Sequence, residues 1–214
     1  MSSSVPDALV SAAERLFAER GSASVSLREI NAEAGSTNAS AIQYHFGGRG
    51  GVVLPVLKGH ATRLATPPHP AAIDRRRHEQ LDAYEASGTD DLRALCAALV
   101  EPLVAELTTE GGPGYLQLVA DLYNQPNPTF DLSKVDDSTS SVARWRKLVL
   151  PLLSPEGVRL HRRFDALRFA VSELARRART GRRDHRLFTS QLIDLVLALL
   201  TAPVSEETKR LLDR

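Results

Sequence analysis

The stretch GSTNASAIQYHFGGRGG, residues 35–51, opens and closes on glycine and carries Asn38, Ser40, Gln43, Tyr44, His45 and Arg49 in between. Ala39, Ile42 and Phe46 stand three and four residues apart, the spacing of one helical face. The stretch therefore predicts a short helix that buries those three and leaves polar and aromatic groups over. Toward the amino end, Ser26 and Glu29 have capping-box spacing, and Leu27, Ile30 and Ala34 then supply a helix that stops at Gly35. Before it, Ser4, Pro6 and Asp7 open a helix whose buried face is Leu9, Ala12, Ala13, Leu16 and Phe17, and Gly21 ends it. Short helix, glycine turn, short helix, with a third to cover them, is a helix-turn-helix head.

Three chemistries fit polar groups between glycines. A phosphate-binding glycine loop follows a strand, whereas this stretch follows a helix, and GGRGG lacks the Walker spacing and its lysine. Ser40, His45 and Glu33 match no nucleophile elbow in order or spacing. A helix entering the major groove needs short or planar side chains at its start, flanked by hydroxyls and amides that fix its register, and residues 36–45 supply them. Recognition of double-stranded DNA is the reading to prefer. Each group also has a plainer alternative: Tyr44 as a surface aromatic, His45 as a core histidine, Arg49 as a solvated charge.

The segments LVSAAERLFAERGSASVSLREINAEAG and NASAIQYHFGGR resemble the DNA-binding head of TetR-family transcriptional regulators over roughly residues 8–58. The form N-x-S-A-I-Q-Y-H-F-G-x-R is similar to a subset with one more residue before the Tyr-His-Phe triplet than the commoner pattern has. The resemblance implies DNA contacts from Ser26, Thr37, Asn38, Ala39, Ser40, Gln43, Tyr44, His45 and Arg49, with Phe46 packing inward. It also implies an all-α fold: a three-helix head over residues 1–65 and a helical domain over 66–214 that dimerises and encloses an effector pocket.

The rest of the chain is compatible with this. TPPHP at 66–70 marks a module boundary, and helices are expected near 71–86, 90–108, 113–124, 139–153, 156–180, 185–202 and 204–213, with no strand-period segment. Leu160, Phe164, Leu167, Val171, Leu174 and Ala178 form a heptad-like seam beside a broadly apolar helix carrying Leu192, Leu195 and Leu199. A homodimer seam of Leu160, Phe164, Leu167, Val171, Leu192, Leu195 and Leu199 is expected, with burial inside one chain as the alternative. Cys96, Leu99, Tyr115, Tyr123 and Trp145 are candidate pocket residues for a largely apolar effector, although such residues fill a core as readily as they line a cavity. Trp145 and Phe130 read first as core. Arg144 or Arg168, if turned inward, would favour an anionic head group.

Composition narrows the classes further. The chain has 214 residues, 43% hydrophobic and 25% charged, an ordinary globular balance. The start, MSSSVPDALV, has neither the basic region nor the apolar core of a secretory signal, so a cytoplasmic protein without a membrane span is expected. A single cysteine, Cys96, leaves no pair for an internal disulfide, and no metal site, cofactor or enzyme activity is expected. Charge is uneven: net +1 overall, but thirteen basic residues against four acidic ones from Arg144 to Arg186, and a slightly acidic first fifty. The Arg-rich run 176–186 reads as a solvated inter-helix loop, with an acidic partner or anionic ligand as the alternative. The expected function is a repressor that binds a palindromic operator as a homodimer and is released by a small apolar molecule; the alternative is a DNA-binding regulator controlled by a protein partner.

Overall fold

The computed structural model describes residues 4–21, 24–38, 40–57, 69–124 and 139–213. Among them there are twelve α-helices and no strand, so the all-α expectation holds. The head consists of α1 (Val5–Arg20), α2 (Leu27–Glu33), α3 (Ala41–Phe46) and α4 (Arg49–Leu57). Ser4 caps α1 as its spacing predicts, accepting from the Asp7 amide at 3.4 Å, and Gly21 closes it at φ 78°. Leu9, Ala12, Ala13, Phe17, Ile30 and Val52 are wholly buried and Ile42 nearly so. Each large side chain among them contributes about 1.5–3 kcal/mol through the water it leaves.

The body comprises α5 (His69–Ser87), α6 (Leu92–Val104, prolonged by a 3-10 turn, Ala105–Thr108), α7 (Gly112–Tyr123), α8 (Ser141–Val149), α9 (Pro155–Arg159), α10 (Arg162–Ala178), α11 (Arg186–Thr201) and α12 (Glu206–Leu212). No single helix among the described residues is long and apolar enough to cross a membrane. Helix α6 is central, packing on α5, α8, α10 and α11, while α7 lies between α10 and the head's α1. The boundary placed at 66–70 falls largely on residues 58–68, outside the described part.

Two expectations about the carboxy-terminal helices change. The helix predicted over 156–180 is two helices, because His161 adopts a left-handed backbone (φ 54°) and its carbonyl starts α10 by accepting from Phe164 and Asp165. A non-glycine residue there carries about 1–2 kcal/mol of strain. The heptad-like seam is also divided: Leu167 (7% exposed), Val171 (1%) and Leu192 (2%) fill the core of their own chain, and only Phe164 and Leu195, each 41% exposed, remain open.

An arginine holds the body together at a point where helix geometry fails. Pro102 lies inside α6 and has no N–H for the Ala98 carbonyl one turn back. The buried Arg77 of α5 fills that vacancy: its Nε donates to Ala98 O at 3.1 Å, Nη2 to Leu99 O at 3.3 Å, and Nη1 to Ser141 Oγ at 3.1 Å. Burial pushes its guanidinium down to about 10, so it stays charged at neutral pH, with Asp74 as the neighbouring anion. Asp74 in turn accepts from the Ser141 amide at 2.7 Å, which ties α8 to the same point.

Candidate nucleic-acid interface

The site starts from the cap of α2. Ser26 Oγ accepts from the Glu29 amide at 3.2 Å, Glu29 Oε2 accepts from the Ser26 amide at 2.7 Å, and Arg20 Nη1 donates to Glu29 Oε1 at 2.9 Å. The capping box read from sequence is thus complete, and an arginine from the end of α1 locks it. These donors, the Ser26 amide first, hold the Glu29 carboxyl at about 2 against its ordinary 4.5. A lowered acid stabilises the folded state above its unfolded pKa and ceases to as pH falls through the folded one. We expect the melting temperature to drop between pH 4.5 and about 2, and Glu29→Gln to flatten that limb; an identical acid limb in both proteins would detach the cap from acid stability.

The turn after α2 is built from its own side chains. Asn38 Oδ1 accepts from the Ser40 amide at 2.9 Å, and Asn38 O accepts from the Ala41 amide at 3.1 Å. The Asn38 acceptors are therefore used inside the turn, which leaves its amide NH₂ as the group that can serve an outside acceptor. Helix α3 is shorter than the sequence suggests. Thr37 and Asn38 precede it rather than forming its first turn, because this Asx turn competes with helix. Ile42 (1% exposed) pins α3 to the head, and Phe46 is half-buried.

Thr37, Asn38, Ser40, Gln43, Tyr44 and His45 are all exposed, so His45 is not a core histidine. Tyr44 is 81% exposed and its ring meets His45 edge-on at 4.9 Å. Ser26 is exposed too, its oxygen engaged in the cap but its hydroxyl hydrogen available. Ala39 lies outside the described residues.

Arg49 sits differently from its expected place at a phosphate. Its Nη1 donates to the Val25 carbonyl at 2.7 Å, and its guanidinium lies 5.8 Å over the Phe17 ring. The Gly47–Gly48 turn folds α4 back against α1 and draws the side chain inward, where it braces the loop before α2. Arg15 pairs with Glu33 at 3.0 Å and Arg20 with Glu29. Among the described residues the head's open arginine is Arg28, exposed on the first turn of α2 beside Ser26. The sequence held the signal: no acid stands three or four residues from it.

Of the candidate pocket residues, Cys96, Leu99 and Trp145 are core, while Tyr115 and Tyr123 are half-buried against it. Cys96, Leu99 and Trp145 have no exposed surface, and Trp145 Nε1 donates to Leu95 O at 2.8 Å. Burial pushes the Cys96 thiol up to about 12 and the Tyr115 phenol upward. Tyr123 is half-buried, 6.3 Å from the Phe164 ring. Neither Arg144 nor Arg168 turns inward: Arg144 binds Asp82 and Glu85, and Arg168 binds Asp165. The inward arginine is Arg77. Among the described residues no cluster of His, Cys, Asp or Glu could hold a metal ion.

No curated protein sequence matches the chain. A solved structure of native NalD, the secondary repressor of the MexAB-OprM multidrug efflux pump in Pseudomonas aeruginosa, is similar at 20% identity and a TM-score of 0.49, covering 94% of this chain and 98% of that one. Residues 9–55, which span most of α1, all of α2 and α3 and most of α4, match the family model of the bacterial regulatory proteins, tetR family.

Proposed function

We propose that the chain is a transcriptional regulator that binds a palindromic operator as a homodimer and represses, with the turn and α3 in the major groove. The observation that supports it best is the exposed run Thr37, Asn38, Ser40, Gln43, Tyr44 and His45 on a segment that matches a regulatory-protein domain. In this reading Gln43 reads base edges; Asn38, Thr37, Ser40 and Ala39 meet bases or backbone; Ser26, Arg28, Tyr44 and His45 hold phosphates; and Arg49 acts indirectly by bracing α2. A head with so few open cations gains little from counterion release, so a dimer that doubles the contacts is part of the proposal. Its face is the open part of α10 and α11: Phe164, Leu195 and Leu187, the last 82% exposed. Light scattering should give twice the monomer mass, and a monomer at micromolar concentration would remove the dimer.

The decisive experiment is selection of bound duplexes from a random pool, repeated with variants. Tyr44→Ala and Arg28→Ala should weaken binding alike on every selected sequence, Arg28→Ala also lowering the salt slope by about 1. Gln43→Ala should relax preference at one position by about 1–3 kcal/mol. Recovery of no duplex, or equal binding by all three variants, rejects the interface.

Release by a small apolar effector that favours the non-binding arrangement of the two heads completes the proposal. The packing of Cys96, Leu99 and Trp145 favours the second reading, control by a protein partner, because a ligand among them would first have to open the core. Thermal shift against apolar acids and neutral aromatics, read beside operator affinity, separates the two.

A further inference from the structure

We propose that His185 is an acid-sensitive latch on the loop between α10 and α11: the neutral ring holds Arg177 and with it the loop, and protonation of the ring releases both. The loop is the middle of the Arg-rich run, and one arginine orders it. Arg177, in the last turn of α10, donates through Nε to His185 Nδ1 at 3.2 Å and through Nη2 to the Asp184 carbonyl, and its guanidinium lies 5.0 Å over the Phe188 ring. A single side chain thus reaches across the turn at Gly181 (φ 63°) and grips both the loop and the first turn of α11.

The latch depends on the ring being neutral. His185 Nδ1 accepts from Arg177, so the one proton of the ring is on Nε2. A second proton has only Nδ1 to go to, where the Arg177 N–H already points; the bond would be lost and two cations would face each other. The site offers an imidazolium nothing in return. Nε2 is buried and has no hydrogen-bond partner, and His185 is the N-cap of α11, at the positive end of that helix. Burial first, and Arg177 second, hold the imidazole below its ordinary 6.5, against the smaller pull of Asp184.

The neighbouring charges do not undo this. Asp184 is bound by Arg186 at 2.9 Å, which holds its carboxyl at about 2. On α6, Arg93 pairs with Asp194 of α11, and Glu101 accepts from Gln80 at 2.6 Å. Arg183 and Arg186 add positive charge to the loop. Among the described residues no carboxylate bonds to Nε2. A histidine whose folded pKa is depressed stabilises the closed loop fully above its free value, and less as pH falls below it. One proton is taken up on opening, so the ratio of closed to open loop falls by up to about tenfold per pH unit below 6.5. Asp184 enters only below its free value of 3.8 and the Glu29 cap of the head only below 4.5, so neither acts in the window from 6.5 to 4.5.

The test reads the loop itself in the full chain without DNA, so it stands or falls apart from operator binding and from pairing with a second copy. NMR follows the His185 ring nitrogens and the hydrogen exchange of the Thr189 amide, which donates to the His185 carbonyl at 2.8 Å, from neutral pH to 4.5. Protection is taken relative to free-chain exchange at each pH. In wild type the His185 midpoint should lie below 6.5, and protection should fall with pH by up to about tenfold per unit. His185→Asn keeps an acceptor where Nδ1 stood, does not titrate and is a favoured N-cap, so its protection should hold across the window. Arg177→Met removes the cation and opens the loop, and should return the His185 midpoint to about 6.5. A wild-type midpoint at or above 6.5, protection that stays level in wild type or falls equally in His185→Asn, or an unmoved midpoint in Arg177→Met each overturns the proposal.

Discussion

Gly51→Ala is expected to destabilise the head by about 3 kcal/mol or more and to abolish operator binding, whereas Gly47→Ala should cost only about 1–2 kcal/mol. The two glycines look alike in sequence and do different things. Gly47 ends α3 with a left-handed backbone (φ 68°), and a Cβ there meets nothing within 4 Å, so its replacement carries backbone strain alone. Gly51 sits in α4 where a Cβ would lie 1.7 Å from the Phe46 carbonyl oxygen and 2.6 Å from its carbon. Both are backbone atoms, and no rotamer change relieves the overlap. Helices α3 and α4 must separate, which shifts α3, and Gln43, Tyr44 and His45 with it, relative to the rest of the head. Urea midpoints for the two variants, measured beside duplex binding, test this: a Gly51→Ala protein as stable as Gly47→Ala would show that the corner has slack the geometry denies.

The head was legible because its rules are local. Ser26 and Glu29 find each other three residues apart, Gly21, Gly35 and Gly47 end helices, and Ile30 and Ile42 fall inward by period alone. What the sequence misplaced there depends on distant atoms. Arg49 turns to the Val25 carbonyl, a backbone group 24 residues away that no spacing rule reports. The start of α3 moved because the Asn38 side chain offered the backbone a competing bond.

In the body, period told which residues are buried but not by whom. Leu167 and Val171 keep the heptad spacing and spend it on their own chain, largely against α7, which packs on α10. The break at His161 has no glycine or proline to announce it. The Arg-rich run, read as a loop over 176–186, is helical at both ends, with Arg176 and Arg177 in α10 and Arg186 opening α11, and the order of the loop between them comes from Arg177 reaching His185 eight residues on. Gly21 and Asp121 show the same limit: an added Cβ at the end of α1 would stand 3.3 Å from the Asp121 carboxylate on α7, so the head abuts the body where the sequence shows only a helix stop.

Arg77 is the residue the sequence hid best, and it gives the second large effect. It lies in DRRRHEQ, residues 74–80, where three successive arginines read as one polar surface. Arg75 is exposed and Arg76 binds the buried Glu106 at 2.6 Å, while Arg77 alone is 2% exposed. Replacing it by Met should cost about 3–5 kcal/mol, since removal of one buried charged partner strands the groups it served. Those groups are the Ala98 and Leu99 carbonyls and the Ser141 hydroxyl. Ala98 is short of a partner because residue 102 is proline, so the two positions must be coupled. In Pro102→Ala an amide returns to donate to Ala98 O along α6, and the carbonyl no longer depends on α5. The double variant Arg77→Met/Pro102→Ala should therefore be more stable than the sum of the single losses by about 1–2 kcal/mol. Strict additivity in urea melts of the four proteins would mean that Arg77 holds the body through Ser141 and Asp74 alone, and that the break in α6 is satisfied by other means.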